Sequence, residues 1–364
     1  ILLLKIIVKI TIKWKILLVL LDSRINYIIN KTLKEPKFLN SYKSEINSLF
    51  SDLLSKHKSE SYYKPLAEYL LNEKNSPKRI RSALFLEIIS GLGKSYSNHI
   101  KLACSLEYLH EFSLIHDDIQ DKDEIRRGNL SLWKKFGTEK SILFGNITKI
   151  ISDNITTNYN DINSKVKKEI IKCFNLVCIN MIEGQYLDIK FEKNKIIKLN
   201  EYLYMISRKT GALMSMSFYL PLILNESSKE EINLLKNIGD QFGLLFQISD
   251  DMLGIWGDPK STGKSNLSDF ENNKKTYPLL LANEQFSKKD KKIFKELIYD
   301  KKNVKYFDLL NLLDAYNIKN IIKYDCSKYI SNSKNLISKS NLNNQTKNNL
   351  NELFDYVIER IKWI

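Results

Sequence analysis

Three carboxylates fall within five residues of the run Leu114-Ile115-His116-Asp117-Asp118-Ile119-Gln120-Asp121. Asp117 and Asp121 are four apart, so on a helix both point the same way, with Asp118 flanking them. Packed this closely, they raise one another's pKa unless a cation neutralises them. Oxygen-only ligands suit a hard cation such as Mg²⁺, which commonly joins a few carboxylates to substrate phosphates. An acidic solvated helix face is the plainer reading, but the apolar residues ahead of the acids favour a buried wall. A second acidic pair, Asp250-Asp251, follows Gln247 inside an otherwise apolar segment, where adjacent carboxylates are costly without partners. The economical arrangement sets both acidic segments across one cavity with shared metal ions. Asp188, in Gly184-Gln185-Tyr186-Leu187-Asp188, adds a third acid.

Cations accompany the acids in a fixed order. Pro77-Lys78-Arg79-Ile80-Arg81 lies upstream of the first cluster and Arg126-Arg127-Gly128 just downstream, with Lys209-Thr210-Gly211, Lys264 and Lys274 following. Taken singly, each reads as a solvated surface charge. Beside metal-binding acids they point to a polyanionic ligand, most simply a diphosphate, because arginine suits bidentate phosphate contact and lysine supplies a point charge. Gly257 to Ser265 imitates a phosphate-binding P-loop, but five residues separate Gly257 from Gly263 where the motif needs four. It also follows a helical pattern rather than a strand, which argues against a nucleotide hydrolase.

Helices must position these residues. Ile100 to His116 carries Leu102, Leu106, Leu109 and Ser113 at helical spacing, and Gly239 to Trp256 is apolar nearly all round, so it should be buried. No proline lies between Pro77 and Pro221, and alternating strand patterns are absent, which favours an all-α fold. Beyond about Ser287 the chain is rich in lysine and asparagine yet keeps helical apolar spacing, as in Leu353, Val357 and Ile361. Residues 39–364 therefore read as a single all-α domain. Residues 1–38 read as an apolar and basic extension, either non-native or a membrane-surface helix. Lys5, Lys9, Lys13 and Lys15 make a membrane-spanning helix improbable there, since each central lysine costs roughly 2.5–3.5 kcal/mol on insertion.

The net charge of +15 admits nucleic acid, an anionic membrane surface or an anionic substrate as partner, although a general bias towards lysine, isoleucine and asparagine accounts for most of it. Cys104, Cys173, Cys178 and Cys326 are scattered, and the four histidines show no zinc spacing. The pattern excludes a disulfide framework and indicates a reducing, cytoplasmic setting.

The ordered motifs resemble those of the trans-isoprenyl diphosphate synthases, or polyprenyl synthetases, over about residues 75 to 280. Asp117 to Asp121 matches the DDxxD motif and is followed at the family spacing by Arg126-Arg127-Gly128. Gln185 to Asp188 matches GQxxD, and Lys209-Thr210 the Lys-Thr pair. Asp250-Asp251, with Gly257-Asp258-Pro259 and Thr262-Gly263-Lys264 after it, matches the second aspartate motif.

The resemblance implies an isoprenoid synthase-type helical bundle around a central apolar cavity. It also implies a Mg²⁺-dependent prenyltransferase acting on isopentenyl diphosphate and an allylic diphosphate, and a homodimer that binds no nucleic acid. By resemblance, Asp117, Asp121 and Asp250 hold a trinuclear Mg²⁺ cluster, with Asp118, Asp188 and Asp251 supporting it. Arg126, Lys209, Lys264 and Lys274 then contact the allylic diphosphate, and Lys78, Arg81, His110 and Arg127 the isopentenyl diphosphate. Gln185, Thr210, Phe246 and Gln247 line the reacting centre. Leu109, Phe112 and Ser113, lying one to two turns before Asp117, set product length. Small Ser113 beside bulky Phe112 resembles synthases of geranylgeranyl diphosphate, with farnesyl and longer polyprenyl products as the alternatives.

The sequence departs from the family at Gly254, where many members have a third aspartate, and at Pro77 and Ser82, which stand for the usual glycine and proline. Two other readings of the motifs are a terpene cyclase and a non-catalytic subunit modulating a synthase. Retention of Lys78, Arg81 and His110 speaks against the first, and intact Asp117, Asp121 and Asp250 against the second.

Overall fold

The computed structural model describes residues 35–55, 60–72, 77–160, 162–193, 197–257, 274–299, 306–362 and 364. Most of the N-terminal extension, Lys264 and the P-loop-like segment from residue 258 onward lie outside the described residues.

Helices α1 (Lys37–Ser41), α2 (Lys43–Ser55), α3 (Glu60–Leu70) and α4 (Ile80–Gly91) lead into the long α5 (Ile100–Asp121). After a small hairpin come α6 (Leu132–Phe136), α7 (Thr138–Thr157), α8 (Ser164–Lys193) and α9 (Leu199–Ile206). A π-helical turn (Ser207–Gly211) joins α9 to α10 (Ala212–Leu224), which is followed by α11 (Lys229–Trp256). The chain closes with α12 (Tyr277–Gln285), α13 (Lys288–Tyr299), α14 (Tyr306–Ala315), α15 (Ile318–Lys339) and α16 (Asn344–Lys362).

The centre of the bundle is α10, buried at nearly every position from Leu213 to Leu224. Its apolar circumference has no polar stripe to present to water, so it must be enclosed. Helices α4, α8 and α11 pack round it, α5 runs along α7, and α15 and α16 close over α11. Local signals agree with this layout. Ser228 caps α11: its Oγ accepts from Glu231 N at 3.2 Å, and Glu231 Oε2 accepts from Ser228 N at 3.1 Å. Lys122 ends α5 in the left-handed conformation, φ 57°.

The helices expected over Ile100 to His116 and Gly239 to Trp256 are present within α5 and α11, and the lysine-rich C-terminal region is helical. One feature differs from a purely helical reading. Ile125–Arg126 and Asn129–Leu130 pair antiparallel as β1 and β2, with Arg127 (φ 52°) and Gly128 (φ 75°) at the tip. Two consecutive positive φ angles are what a two-residue hairpin of the right twist requires, and Gly128 supplies one at no steric cost.

Candidate active site

The first acidic segment forms the last turn of α5. Asp121 accepts from Lys274 Nζ at 2.8 Å and from Gln185 Nε2 at 3.4 Å, and Lys209 Nζ lies 3.9 Å from it. Lys209 Nζ also donates to Asp188 Oδ2 at 2.6 Å. Thus α5, α8, the π-helical turn and the segment leading into α12 bring three of the expected acids and two of the expected lysines together. Burial pushes the Asp117 carboxyl up to about 6, with Lys209 pulling the other way. Asp121 is also partly buried, but Lys209 and Lys274 more than offset this and hold its pKa below the ordinary carboxylate range. Lys209 is itself desolvated, yet Asp117, Asp188 and Asp121 keep its pKa raised.

The turn at Ser207–Gly211 links this cluster to the second acidic segment. Lys209 faces Asp188 and Asp121, while the adjoining Thr210 donates from Oγ1 to Gln247 Oε1 at 2.8 Å. Gln247 Nε2 in turn donates to Asp251 Oδ1 at 3.0 Å. Glycines allow the crowding. A Cβ on Gly184 would sit 2.2 Å from Lys209 N, and one on Gly243 would sit 2.7 Å from Gly211 Cα. The turn is therefore pinched between α8 and α11 at two points where only glycine leaves room.

The second acidic pair divides. Asp251 is buried and accepts from the Tyr202 hydroxyl and from Tyr277 N (2.8 Å) as well as from Gln247. Asp250 is more open and pairs with Arg360 Nη2 of α16 at 2.6 Å. That guanidinium also lies 5.3 Å from the Phe246 ring centre. In the first segment Asp118 is likewise buried and takes the guanidinium of Arg126, whose Nε donates at 2.8 Å. Asp118 and Asp251 therefore spend their oxygens on the protein; Asp121, nearly as buried as Asp118, is held by Lys274, and Asp250 is the open member of the set.

The remaining cations gather above α4 and α5. The hairpin sends Arg126 to Asp118 and Arg127 to Glu111, whose Oε1 accepts from both Nη1 and Nη2 at 3.1 Å. Lys78 Nζ pairs with Glu35 at 2.6 Å and donates to the Tyr356 hydroxyl at 3.0 Å. Arg81 Nε is buried without a hydrogen-bond partner among the described residues. Burial, then Arg81 and Arg127, hold the His110 pKa well below its ordinary value, so its imidazole is neutral. The expected product-length residues line α5 below the acids. Leu109 is fully buried, Phe112 packs on His116 with ring centres 4.8 Å apart, and Ser113 donates to His110 O at 2.8 Å.

Among the described residues no three His, Cys, Asp or Glu side chains already form a cage for a metal ion. The donor chemistry nonetheless fits a hard cation. The site concentrates carboxylate oxygens without nitrogen or sulfur ligands, and it needs Lys209, Lys274 and Arg360 to balance them. Tyr202, Tyr277, Tyr356 and Arg360 are site neighbours that motif reading misses. The three tyrosines and Arg360 sit in ordinary amphipathic patterns. Glu111 carried a legible signal, a carboxylate beside His110 in a run of buried residues.

Comparison with known proteins places the chain among relatives of one family. The model of the polyprenyl synthetase family matches residues 60–312. The chain is 33% identical over 240 residues to a geranylgeranyl pyrophosphate synthase of Geoglobus acetivorans, covering 66% of this chain and 74% of that one. It is 34% identical over 261 residues to a geranylgeranyl diphosphate synthase of Sulfolobus acidocaldarius, covering 70% and 78%. The crystal structure of geranylgeranyl pyrophosphate synthetase from Pyrococcus horikoshii superposes with a TM-score of 0.80 at 26% identity, over 88% of this chain and 98% of that one.

Proposed function

The chain belongs to the polyprenyl synthetase family, and on that premise we propose that it is a trans-prenyltransferase joining isopentenyl diphosphate to an allylic diphosphate. The product is a longer all-trans prenyl diphosphate. The observation that carries the reading is the Lys209-Thr210 turn, which touches the first acidic cluster with one side chain and the second with the next.

Asp117, Asp121 and Asp250 are the residues that would hold Mg²⁺, with Asp118, Asp188 and Asp251 fixing the surrounding frame. When bound, the ions supply Lewis-acid stabilisation to a departing diphosphate. The protein's own groups do the rest. Arg126, Lys209 and Lys274 bind the allylic diphosphate, with Lys264 as a further expected contact. They stabilise the negative charge as the allylic C–O bond breaks and its electron pair leaves with the diphosphate. Lys78, Arg81, His110 and Arg127 hold isopentenyl diphosphate.

The Phe246 ring and the Gln247 carbonyl dipole, fixed by Thr210 on one side and Asp251 on the other, face the allylic cation. The isopentenyl double bond attacks that cation, a new C–C bond forms, and a proton leaves the adjacent carbon, with the departed diphosphate as base. An apolar wall keeps water from capturing the cation. Gln185 orients Asp121 from α8.

Leu109, Phe112 and Ser113 favour geranylgeranyl diphosphate as product, with farnesyl and longer products as alternatives. A homodimer is supported by an apolar stripe on α8, where Leu176, Ile179, Ile182 and Tyr186 are each more than half exposed, beside Ile150 of α7. The four cysteines are free thiols, in keeping with a cytoplasmic location, and among the described residues no helix is long and apolar enough to cross a membrane. Peripheral membrane contact through the N-terminal segment remains an expectation from sequence.

The test is direct. The protein is incubated with labelled isopentenyl diphosphate, each allylic primer and Mg²⁺, and the dephosphorylated products are chromatographed. Geranylgeraniol is the expected alcohol. No elongated alcohol, where a control synthase gives one, refutes the reading.

A further inference from the structure

We infer that Glu111 is a positioning residue for the condensing diphosphate, acting through Arg127. The inference rests on the prenyl-transfer reading and adds to it a residue outside every motif used above.

Arg127 sits at the tip of a two-residue hairpin in a left-handed conformation, and its side chain is a quarter exposed. Its neighbours are unfavourable, because Arg81 and Arg127 press on the same imidazole of His110. Like charges this close should drive Arg127 outward into solvent. Glu111 holds it in place. Both η nitrogens donate to one oxygen, Oε1, at 3.1 Å, which fixes the plane of the guanidinium.

Glu111 is itself anchored. Its side chain is 5% exposed, and Arg79 Nη1 lies 3.9 Å from the same oxygen. Arg79 is buried, held by Asn47 (3.0 Å) and Glu107 (3.4 Å) and stacked 4.1 Å over Phe50. Glu107 is fixed in turn by Ser82, through its N at 3.1 Å and its Oγ at 2.8 Å. The chain of contacts therefore runs from the bundle core to the hairpin tip, and Glu111 is its last rigid member. His110, one residue earlier on α5, belongs to the same phosphate pocket, so a shift at Glu111 is felt where the diphosphate binds.

The experiment compares Glu111→Gln, Glu111→Asp, Arg127→Gln and the double variant Glu111→Gln/Arg127→Gln, with KM measured separately for each substrate. Losing a charge-assisted pair should raise KM for isopentenyl diphosphate about tenfold in Glu111→Gln. KM for the allylic primer and kcat should stay within about twofold. Glu111→Asp, whose carboxylate is one methylene shorter, should show an intermediate rise with kcat retained, and it carries the test alone if Glu111→Gln does not fold. The double variant should be no worse than Arg127→Gln, because the two residues act as one unit. Unchanged or lowered KM in Glu111→Gln, equal losses for both substrates, or additive effects in the double variant would overturn the inference. A wild-type protein that makes no elongated product refutes the prenyl-transfer reading instead, so the two failures are told apart.

Discussion

Replacing Gly184 by alanine should damage both stability and turnover, and the structure sets the size of the effect. The added Cβ would lie 2.2 Å from Lys209 N, 2.6 Å from Lys209 Cα and 2.8 Å from its Cβ. Two of these are backbone atoms, which cannot rotate away. Restoring ordinary contact requires α8 and the Ser207–Gly211 turn to part by about 1 Å, since interiors are already close-packed. The turn cannot simply retreat, because Gly211 is held close to Gly243 of α11 on its other side. Overpacking of this kind costs about 1–3 kcal/mol, which for a chain of this size lowers the melting temperature by a few degrees. The catalytic cost should be larger. Lys209 and Thr210 move together with the turn, and a misplacement of about 1 Å costs on the order of a hundredfold in rate. The assay is steady-state formation of acid-labile product from labelled isopentenyl diphosphate, with a thermal melt alongside. A Gly184→Ala protein with unchanged kcat and an unchanged melt would refute the claim that this glycine sets the Lys209 turn.

Lys209→Met should melt lower than wild type in EDTA, by about 1–3 kcal/mol after allowance for partial solvent access, because Asp188 and Asp121 lose a counter-ion. The deficit should narrow when Mg²⁺ is added, and a gap indifferent to Mg²⁺ would contradict this. For Asp117, burial raises the folded-state pKa from 3.8 to about 6, so between those values the folded protein binds more protons than the unfolded chain. Its contribution is then lost as pH rises through about 4 to 6. Without divalent ions, Asp117→Asn should gain stability relative to wild type across that window, read from urea midpoints at pH 5 and pH 7; a constant difference would refute the assignment. Ser113→Phe should shorten the product, because it fills the face of α5 one turn below Asp117, and an unchanged product length would remove Ser113 from that wall.

Much of this arrangement was legible in the chain. The spacing of Asp117 and Asp121 and the apolar run before them place two acids on one face of a buried helix, and α5 carries them so. The link from Lys209-Thr210 to both acidic segments could be guessed only from motif order, because the π-helical turn leaves no periodic trace and its close approach depends on glycines far apart in sequence. The hairpin at Arg126 and Arg127 is too short for alternation to reveal, although Gly128 marks its tip. Arg360 and Tyr356 were beyond reach for a different reason. They lie one turn apart on an amphipathic helix whose apolar residues give its register, and nothing local says that its polar edge meets Asp250 and Lys78. Contacts across more than a hundred residues of chain are set by packing, which single-sequence periodicity does not encode.

The pairings explain why so acidic a cluster folds at all. Asp118, Asp121, Asp188 and Asp250 each sit against a cation: Arg126, Lys274, Lys209 and Arg360 respectively. Unpaired, the three buried ones, Asp118, Asp121 and Asp188, would each be costly in an interior of low dielectric. Asp117, with no such contact among the described residues, is instead the one whose pKa is driven up to about 6. Three of the four cations are ones the prenyl-transfer reading directs at substrate or at its ring of supporting groups. A diphosphate therefore cannot recruit Lys209 and Lys274 without stripping Asp188 and Asp121 of their counter-ions. It binds well only when those carboxylates gain positive charge from elsewhere at the same moment. On the prenyl-transfer reading, coupled uptake of diphosphate and divalent cation is the expected consequence of these pairings, and it is the same coupling that the Mg²⁺ dependence of the Lys209→Met melt would expose.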